Sequence, residues 1–413
     1  MKRRISLLLL ALALVLSSCS IGGSIFNQDK KTTEVTVGGD EYVEKEKTPE
    51  APKEDQEEKT ATIKVLGDVF MHGAQLDYAK SKGKDGSYDF TDNFARIKDY
   101  IQDADLAILN NEFSSRSDWQ ASSYPTFNTP ETIYDALKDA GIDALTNANN
   151  HAIDTGIDGL EKTLENIDER GLYHTGTYKR NTEHEYLIMD ANGIKVGLLS
   201  YAEMLNGLEP LLNTPEKKAV VNMLDPEKIK ADIEGIKAAG ADFIIVYPHW
   251  GNEYQGYPTD AQIKLGRQMV DWGADFVIGN HPHVVQPKET YTTADGRTGY
   301  IYYALGNVIS NQRLETIGDI RSEQGASVEI KISLKGKASE GGEKKAELID
   351  HPICVTNFND GPLPLTQVLL PAEYLAGGSK EGELKGDRLA RFEKAVNMVT
   401  KTLNTKVKLS TEN

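Results

Sequence analysis

Side chains able to ligate a metal follow apolar runs at five places in this chain. Val65-Leu66 runs into Gly67-Asp68, and Ile108-Leu109 runs into Asn110-Asn111-Glu112. Ala144-Leu145-Thr146 leads to Asn149-Asn150-His151, with Asp154 three residues on. Ile245-Val246-Tyr247 leads to Pro248-His249-Trp250-Gly251 and Glu253, and Val277-Ile278 leads to Gly279-Asn280-His281-Pro282-His283. Four of the 8 histidines fall in these segments. Asp, Glu, Asn and His without cysteine suit borderline-to-hard divalent cations such as Mn, Fe or Zn. The candidates outnumber the ligands of one closed tetrahedral site, which points to two ions. In such centres the ions sit about 3.5–4 Å apart, share a bridging carboxylate and activate a hydroxide against a phosphoryl centre. His281 and His283 flank a proline, for which an extended geometry is expected, so each could serve a different ion. Trp250 and Tyr254 either line the site or pack beside it. His174, His184 and His351 have no polar constellation and read as ordinary surface or core residues, and Arg116 reads as solvated. No Gly-x-Ser-x-Gly elbow, Walker loop or Gly-x-Gly-x-x-Gly fingerprint is present, so serine-hydrolase, nucleotide-driven and dinucleotide chemistry are unsupported.

These residues need strands to hold them. Strand-length apolar runs occur at Thr62–Leu66, Leu106–Leu109, Ala144–Thr146, Val196–Ser200, Phe243–Tyr247, Phe276–Ile278 and Tyr300–Ala304. Between them lie helix-length amphipathic stretches: Asn93–Gln102, Glu131–Ala140, Gly159–Glu169, Pro226–Ala239 and Asp260–Trp272. Glycines at 141, 240 and 273 stand where helices should stop. The alternation predicts an α/β fold with strands covered on both faces, and ligand crevices in such sheets lie at the carboxyl ends of strands. After Asn307 the rhythm changes. Ala326–Lys335 and Ala346–Thr356 alternate apolar with polar as antiparallel strands do, separated by the charged, Gly-rich Lys335–Lys345. Leu365–Leu370 reads as a further strand and Gly386–Leu403 as a closing helix. One α/β body over residues 61–413 is expected, with an antiparallel C-terminal extension from about residue 312.

The chain has 413 residues and a formal charge of −17, from 63 acidic and 46 basic side chains. It has no basic stripe, which excludes nucleic acid as a partner. Met1-Lys-Arg-Arg followed by the apolar Ile5–Leu16 is shorter than a membrane-spanning helix and fits a secretory signal over residues 1–19. Leu16-Ser17-Ser18-Cys19-Ser20 resembles the bacterial lipobox, in which Cys19 is lipidated and becomes the mature N-terminus. Ser20 gives no inner-membrane retention signal, so an outward-facing, lipid-anchored protein is expected at the cell membrane. Residues 20–60 are acidic and poor in apolar side chains, and they read as a disordered spacer.

Taken in order, the motifs resemble the CapA family, bacterial capsule-synthesis proteins associated with poly-γ-glutamate and similar in fold to calcineurin-like metallophosphatases. They are Gly67-Asp68, Asn111-Glu112, Asn149-Asn150-His151-Ala-Ile-Asp154, His249-Trp250-Gly251-Asn-Glu253-Tyr254, Gly279-Asn-His281-Pro-His283 and the late Leu305-Gly306-Asn307. The resemblance covers about Thr62 to Asn311. It implies a layered fold of β-sheets flanked by helices, with two divalent ions. Asp68 and His283 would ligate the first ion, Asn150, His249 and His281 the second, and Glu112 would stand at the bridging position. His151 would protonate a leaving group with Asp154 orienting it, and Glu253 and Asn307 would support the ligands. Metallophosphatases carry a histidine two residues after the first aspartate. Here that residue is Phe70, and His72 is the candidate to reach in. The implied function is biosynthesis, export or anchoring of a capsule polymer beside membrane synthase subunits, with phosphoester hydrolysis at the metal site. The alternative is a non-catalytic, metal-dependent assembly role. The acidic body would repel a polyanion over its general surface, so polymer contact is expected only at the cation site.

Overall fold

The computed structural model describes residues 57–357 and 363–412. The expected signal segment, Cys19 and most of the acidic spacer lie outside the described residues. The strands are β1 (Glu58–Val69), β2 (Leu106–Asn111), β3 (Ala144–Thr146), β4 (Tyr173–Thr175), β5 (Leu187–Ala191), β6 (Ile194–Ala202) and β7 (Phe243–His249). Then follow β8 (Phe276–Ile278), β9 (Lys288–Thr292), β10 (Thr298–Tyr302), β11 (Asn307–Ile309), β12 (Gln324–Lys335), β13 (Glu343–Asn357) and β14 (Thr366–Leu369).

They form two sheets. The first runs β14-β13-β12-β1-β2-β3-β4, with β11 paired to the end of β1; the second runs β5-β6-β7-β8-β10-β9. β1 to β4 are mutually parallel, as are β6, β7, β8 and β10. One face of each sheet meets the other sheet: Ile63, Val65 and Ile108 share a core with Val196, Leu198, Ile245 and Phe276. The alternate residues point outward to helices. Leu109 and Leu145 pack with Ile133, Leu137, Leu160 and Leu164, while Ile244, Val246 and Val277 pack with Ile229, Ile233, Ile263 and Met269. The period-2 direction of strand side chains thus makes a helix–sheet–sheet–helix stack in which both sheets are covered.

Local sequence sets the helix ends. Asp225 accepts from the Glu227 and Lys228 amides at the start of Pro226–Ala238, the usual work of an N-cap aspartate. Thr259 and Gln262 form a capping box for Asp260–Trp272, which Gly273 ends at φ 129°. The expected helix Asn93–Gln102 is instead two short helices, Thr91–Phe94 and Lys98–Gln102. Asn93 and Arg96 reach across to β14, bonding Thr366 O and Gln367 Oε1, and these tertiary contacts win over helical continuity.

Two expected boundaries shift. β1 begins at Glu58 rather than Ala61, because Glu58, Lys59 and Thr60 pair with Lys335, Leu334 and Ser333 of β12. The C-terminal strands are not an appendage, since β12 is the direct neighbour of β1 and completes the first sheet. The closing helix Asp387–Leu403 packs Val399 and Leu403 into the core between the sheets. Cys354 is buried in β13 as a free thiol. No helix among the described residues is long and apolar enough to cross a membrane.

Candidate metal centre

Strand register gathers the candidate residues at one end of the stack. Asp68, near the end of β1, lies opposite Asn110 of β2 and Asn307 of β11. Gly67 makes this possible, because a Cβ there would stand 1.8 Å from the Gly306 carbonyl oxygen. Glu112 directly follows β2, Asn150 and His151 follow β3, His249 ends β7, and His281 and His283 follow β8. The turn carrying the last two is not extended as expected around Pro282. His281 has φ 97° and His283 φ 57°, a region that non-glycine residues adopt at a cost of about 1–3 kcal/mol each. It is held by the Asn280 amide on Pro248 O, the Tyr254 amide on Pro282 O and the His281 amide on Asp68 Oδ2.

Two triads result. Glu112, His249 and His281 offer ligand atoms that all lie within 4.8 Å of one another, as do Asp68, Glu112 and His283. Glu112 belongs to both. His249 Nε2 is 2.7 Å from Asn150 Oδ1, 3.2 Å from His281 Nδ1 and 3.4 Å from Glu112 Oε1. Four polar atoms from four side chains therefore converge there. His283 Nδ1 is 3.0 Å from Asn307 Oδ1 and 3.6 Å from Asp68 Oδ2, and its Nε2 is 3.8 Å from Glu112 Oε1. Both carboxylate oxygens of Glu112 are buried without a hydrogen-bond partner among the described residues. Orphaned buried acceptors are rare and call for an explanation, and divalent cations fit this donor set.

The electrostatics show the same strain. Burial, reinforced by Asp68, pushes the Glu112 carboxyl up to about 8. Burial pushes His249 down to about 3 and His281 down to about 2. For His283 burial works downward but is outweighed by Glu112 and Asp68, which raise it to about 9. Burial alone would raise Asp68, yet His283 and His249 hold it below the ordinary carboxylate value.

His151 Nδ1 is 2.8 Å from Asp154 Oδ2, which also accepts from the Phe127 amide at 2.7 Å. The His151 ring rests against Phe127, 4.8 Å between centroids. Phe70, where a histidine was expected from metallophosphatases, packs against Phe127 and His283. His72 is not in either triad: its Nδ1 accepts the Asn311 amide at 3.2 Å, and burial lowers it to about 4. Glu253 is exposed, and the loop after His249 is instead held by Glu203, which accepts the Gly251 amide at 2.7 Å. Trp250 packs, donating its indole N–H to Tyr303 O. Arg116 is engaged by Asp118 and covers Trp119.

Two supporting residues were not singled out from sequence. Asn110 donates to Asp68 Oδ1 at 2.8 Å and lies 3.3 Å from His249 Nδ1, linking the two triads from behind. Asn206 accepts from the Asn150 amide group at 3.2 Å, which leaves Asn150 Oδ1 facing His249. Asn110 had a signal, an amide at a strand end beside Glu112, whereas Asn206 sits in a loop far along the chain with no local mark.

Residues 62–312 match the family described as "Bacterial capsule synthesis protein PGA_cap". The "PGA biosynthesis protein CapA" of Bacillus subtilis (strain 168) is 29% identical over 279 residues, covering 66% of this chain and 67% of the relative. The "Capsule biosynthesis protein CapA" of Bacillus anthracis is 27% identical over 329 residues, covering 77% and 73%. Among solved structures, the calcineurin-like phosphoesterase YfkN from Bacillus subtilis is similar at 18% identity and a TM-score of 0.39, with 71% of this chain and 91% of that chain covered.

Proposed function

From the premise that the chain belongs to the bacterial capsule synthesis protein PGA_cap family, we propose that it is a lipid-anchored, outward-facing protein of capsule-polymer biosynthesis whose strand-end centre hydrolyses a phosphoester. The observation that carries the chemical part is the pair of triads sharing Glu112, with both Glu112 oxygens orphaned in a buried site. Asp68 and His283 would hold one divalent cation, Asn150, His249 and His281 the other, and Glu112 both. Bound there, the cations supply Lewis acidity toward a phosphoryl oxygen.

The chain's own groups do the rest. Asn110 fixes the rotamers of Asp68 and His249, the kind of outer support that sets ligand orientation. Asp154 orients the His151 ring through Nδ1, which leaves Nε2 as the group to protonate a departing oxygen. Phe70 and Phe127 form an apolar wall beside His151 and His283. Lipidation of Cys19 would place this body at the membrane beside synthase subunits, with the polymer reaching only the cation-bearing centre.

The test is metal content and hydrolysis of bis(p-nitrophenyl) phosphate by the purified chain, beside a His281→Ala/His283→Ala variant. About two ions per chain that vanish in the variant, with activity following them, is the expected result. Metal without turnover would replace hydrolysis by a cation-dependent binding or assembly role. No metal under any loading would remove the metal-centre reading.

A further inference from the structure

We propose that Tyr254 is a substrate-contacting residue of the centre, its phenol donating a hydrogen bond to the phosphoryl oxyanion held beside His283. This rests on the metal-centre reading above and names the group that recognises the anion. Tyr254 lies in the loop after β7 and stands over the ligand turn, its ring 6.0 Å from that of His283. Its backbone is in the left-handed region, φ 60°, which a bulky residue adopts only where the surroundings impose it. Those surroundings are specific. The Tyr254 amide donates to Pro282 O at 2.8 Å, the carbonyl between the two histidines, so its backbone is tied to the ligand turn. Arg321, itself gripped by Asp319, donates to Tyr254 O at 3.0 Å from the other side.

The phenol so placed has no hydrogen-bond partner among the described residues. Tyr78, Tyr201, Tyr302 and Tyr303 each give their hydroxyl to a carboxylate. Among the described residues, Tyr254 gives its hydroxyl to none. A phenol with no hydrogen-bond partner among the described residues, on a ring 6.0 Å from that of His283 and with its backbone tied to the His281–His283 turn, is placed to complete an oxyanion site by positioning alone.

The probe is inorganic phosphate, titrated calorimetrically into the manganese-loaded chain with and without chelator. Tyr254→Phe removes only the oxygen and keeps the ring. Its expected signature is unchanged metal content and thermal stability with phosphate affinity down about tenfold to hundredfold, the span of one hydrogen bond to a charged acceptor. Unchanged affinity in Tyr254→Phe, with metal-dependent binding in the wild type, overturns the role of Tyr254 and leaves the centre standing. No metal-dependent phosphate binding in the wild type overturns both.

Discussion

Glu112→Gln isolates the shared carboxylate. The change keeps the side-chain volume, so cation-free stability should move by less than about 1 kcal/mol. Cation binding should weaken sharply, because Glu112 is the member common to both triads. With cation at a hundred times its dissociation constant, the wild type gains about 2.7 kcal/mol. At about 2 °C per kcal/mol for a body of this size, its Tm rises by about 5 °C. Removing one partner of a buried charge pair costs about 3–5 kcal/mol, at least a hundredfold in affinity. The same cation concentration then only matches the variant's dissociation constant. Its gain falls to about 0.4 kcal/mol and its Tm shift to under about 1 °C. Differential scanning fluorimetry with manganese or with chelator measures both shifts, and elemental analysis counts the ions. A Glu112→Gln protein that keeps two ions and the full shift refutes the bridge. The orphaned oxygens would then need another explanation, such as ordered water.

Other outcomes follow from the same contacts. Asn110→Ala removes the donor to Asp68 and the partner of His249, so metal affinity should fall about tenfold to hundredfold while the circular dichroism spectrum stays unchanged. Gly67→Ala forces a Cβ onto the Gly306 carbonyl, and should cost about 3 kcal/mol in urea denaturation and disturb Asp68 and Asn307 together. Arg180 holds the Glu161 carboxyl below its usual 4.5. A depressed acid stabilises the fold above its unfolded value and loses that contribution as pH falls through the folded one. Arg180→Ala should therefore cost up to about 1 kcal/mol at pH 7, a partly exposed pair being worth no more. The gap between variant and wild type should narrow progressively below pH 4.5 in denaturation curves run across pH.

The layering was legible wherever a buried apolar run or a glycine stop marked an element. The helix Asp260–Trp272 and the strands Ala144–Thr146 and Phe276–Ile278 lie where apolar spacing and glycine stops put them. Edge elements were harder. Tyr173–Thr175 is three residues with an exposed tyrosine, so its pairing to β3 leaves no periodic trace. The β5–β6 hairpin did carry a signal, Asn192-Gly193, whose φ values of 53° and 78° are those such a two-residue turn requires. Pairing partners are a further step that local pattern does not encode. Nothing in Ala326–Lys335 says that it will lie beside β1, yet that pairing carries β1 back to Glu58 and puts the C-terminal strands in the same sheet as Asp68.

The gathering of Asp68, Glu112, Asn150, His249, His281 and His283 was legible for a different reason. A polar group ending a buried parallel strand has to be compensated there, and neighbouring parallel strands end on the same side. That argument locates residues but not their orientation, which comes from contacts invisible in sequence: Asn206 turning Asn150, Asn307 meeting His283, and the positive φ of the His281–His283 turn. It also explains Phe70 and His72. Phe70 lies in buried β-end surroundings against Phe127 and His283, while the His72 ring nitrogen is taken by the Asn311 amide on the path back from Asn307. With His72 occupied, the first triad has Asp68, Glu112 and His283 and, among the described residues, no fourth His, Cys, Asp or Glu within its span. Asp68, Glu112 and His283 would then be the acidic and imidazole groups that hold the first cation, with the Tyr254 ring beside His283.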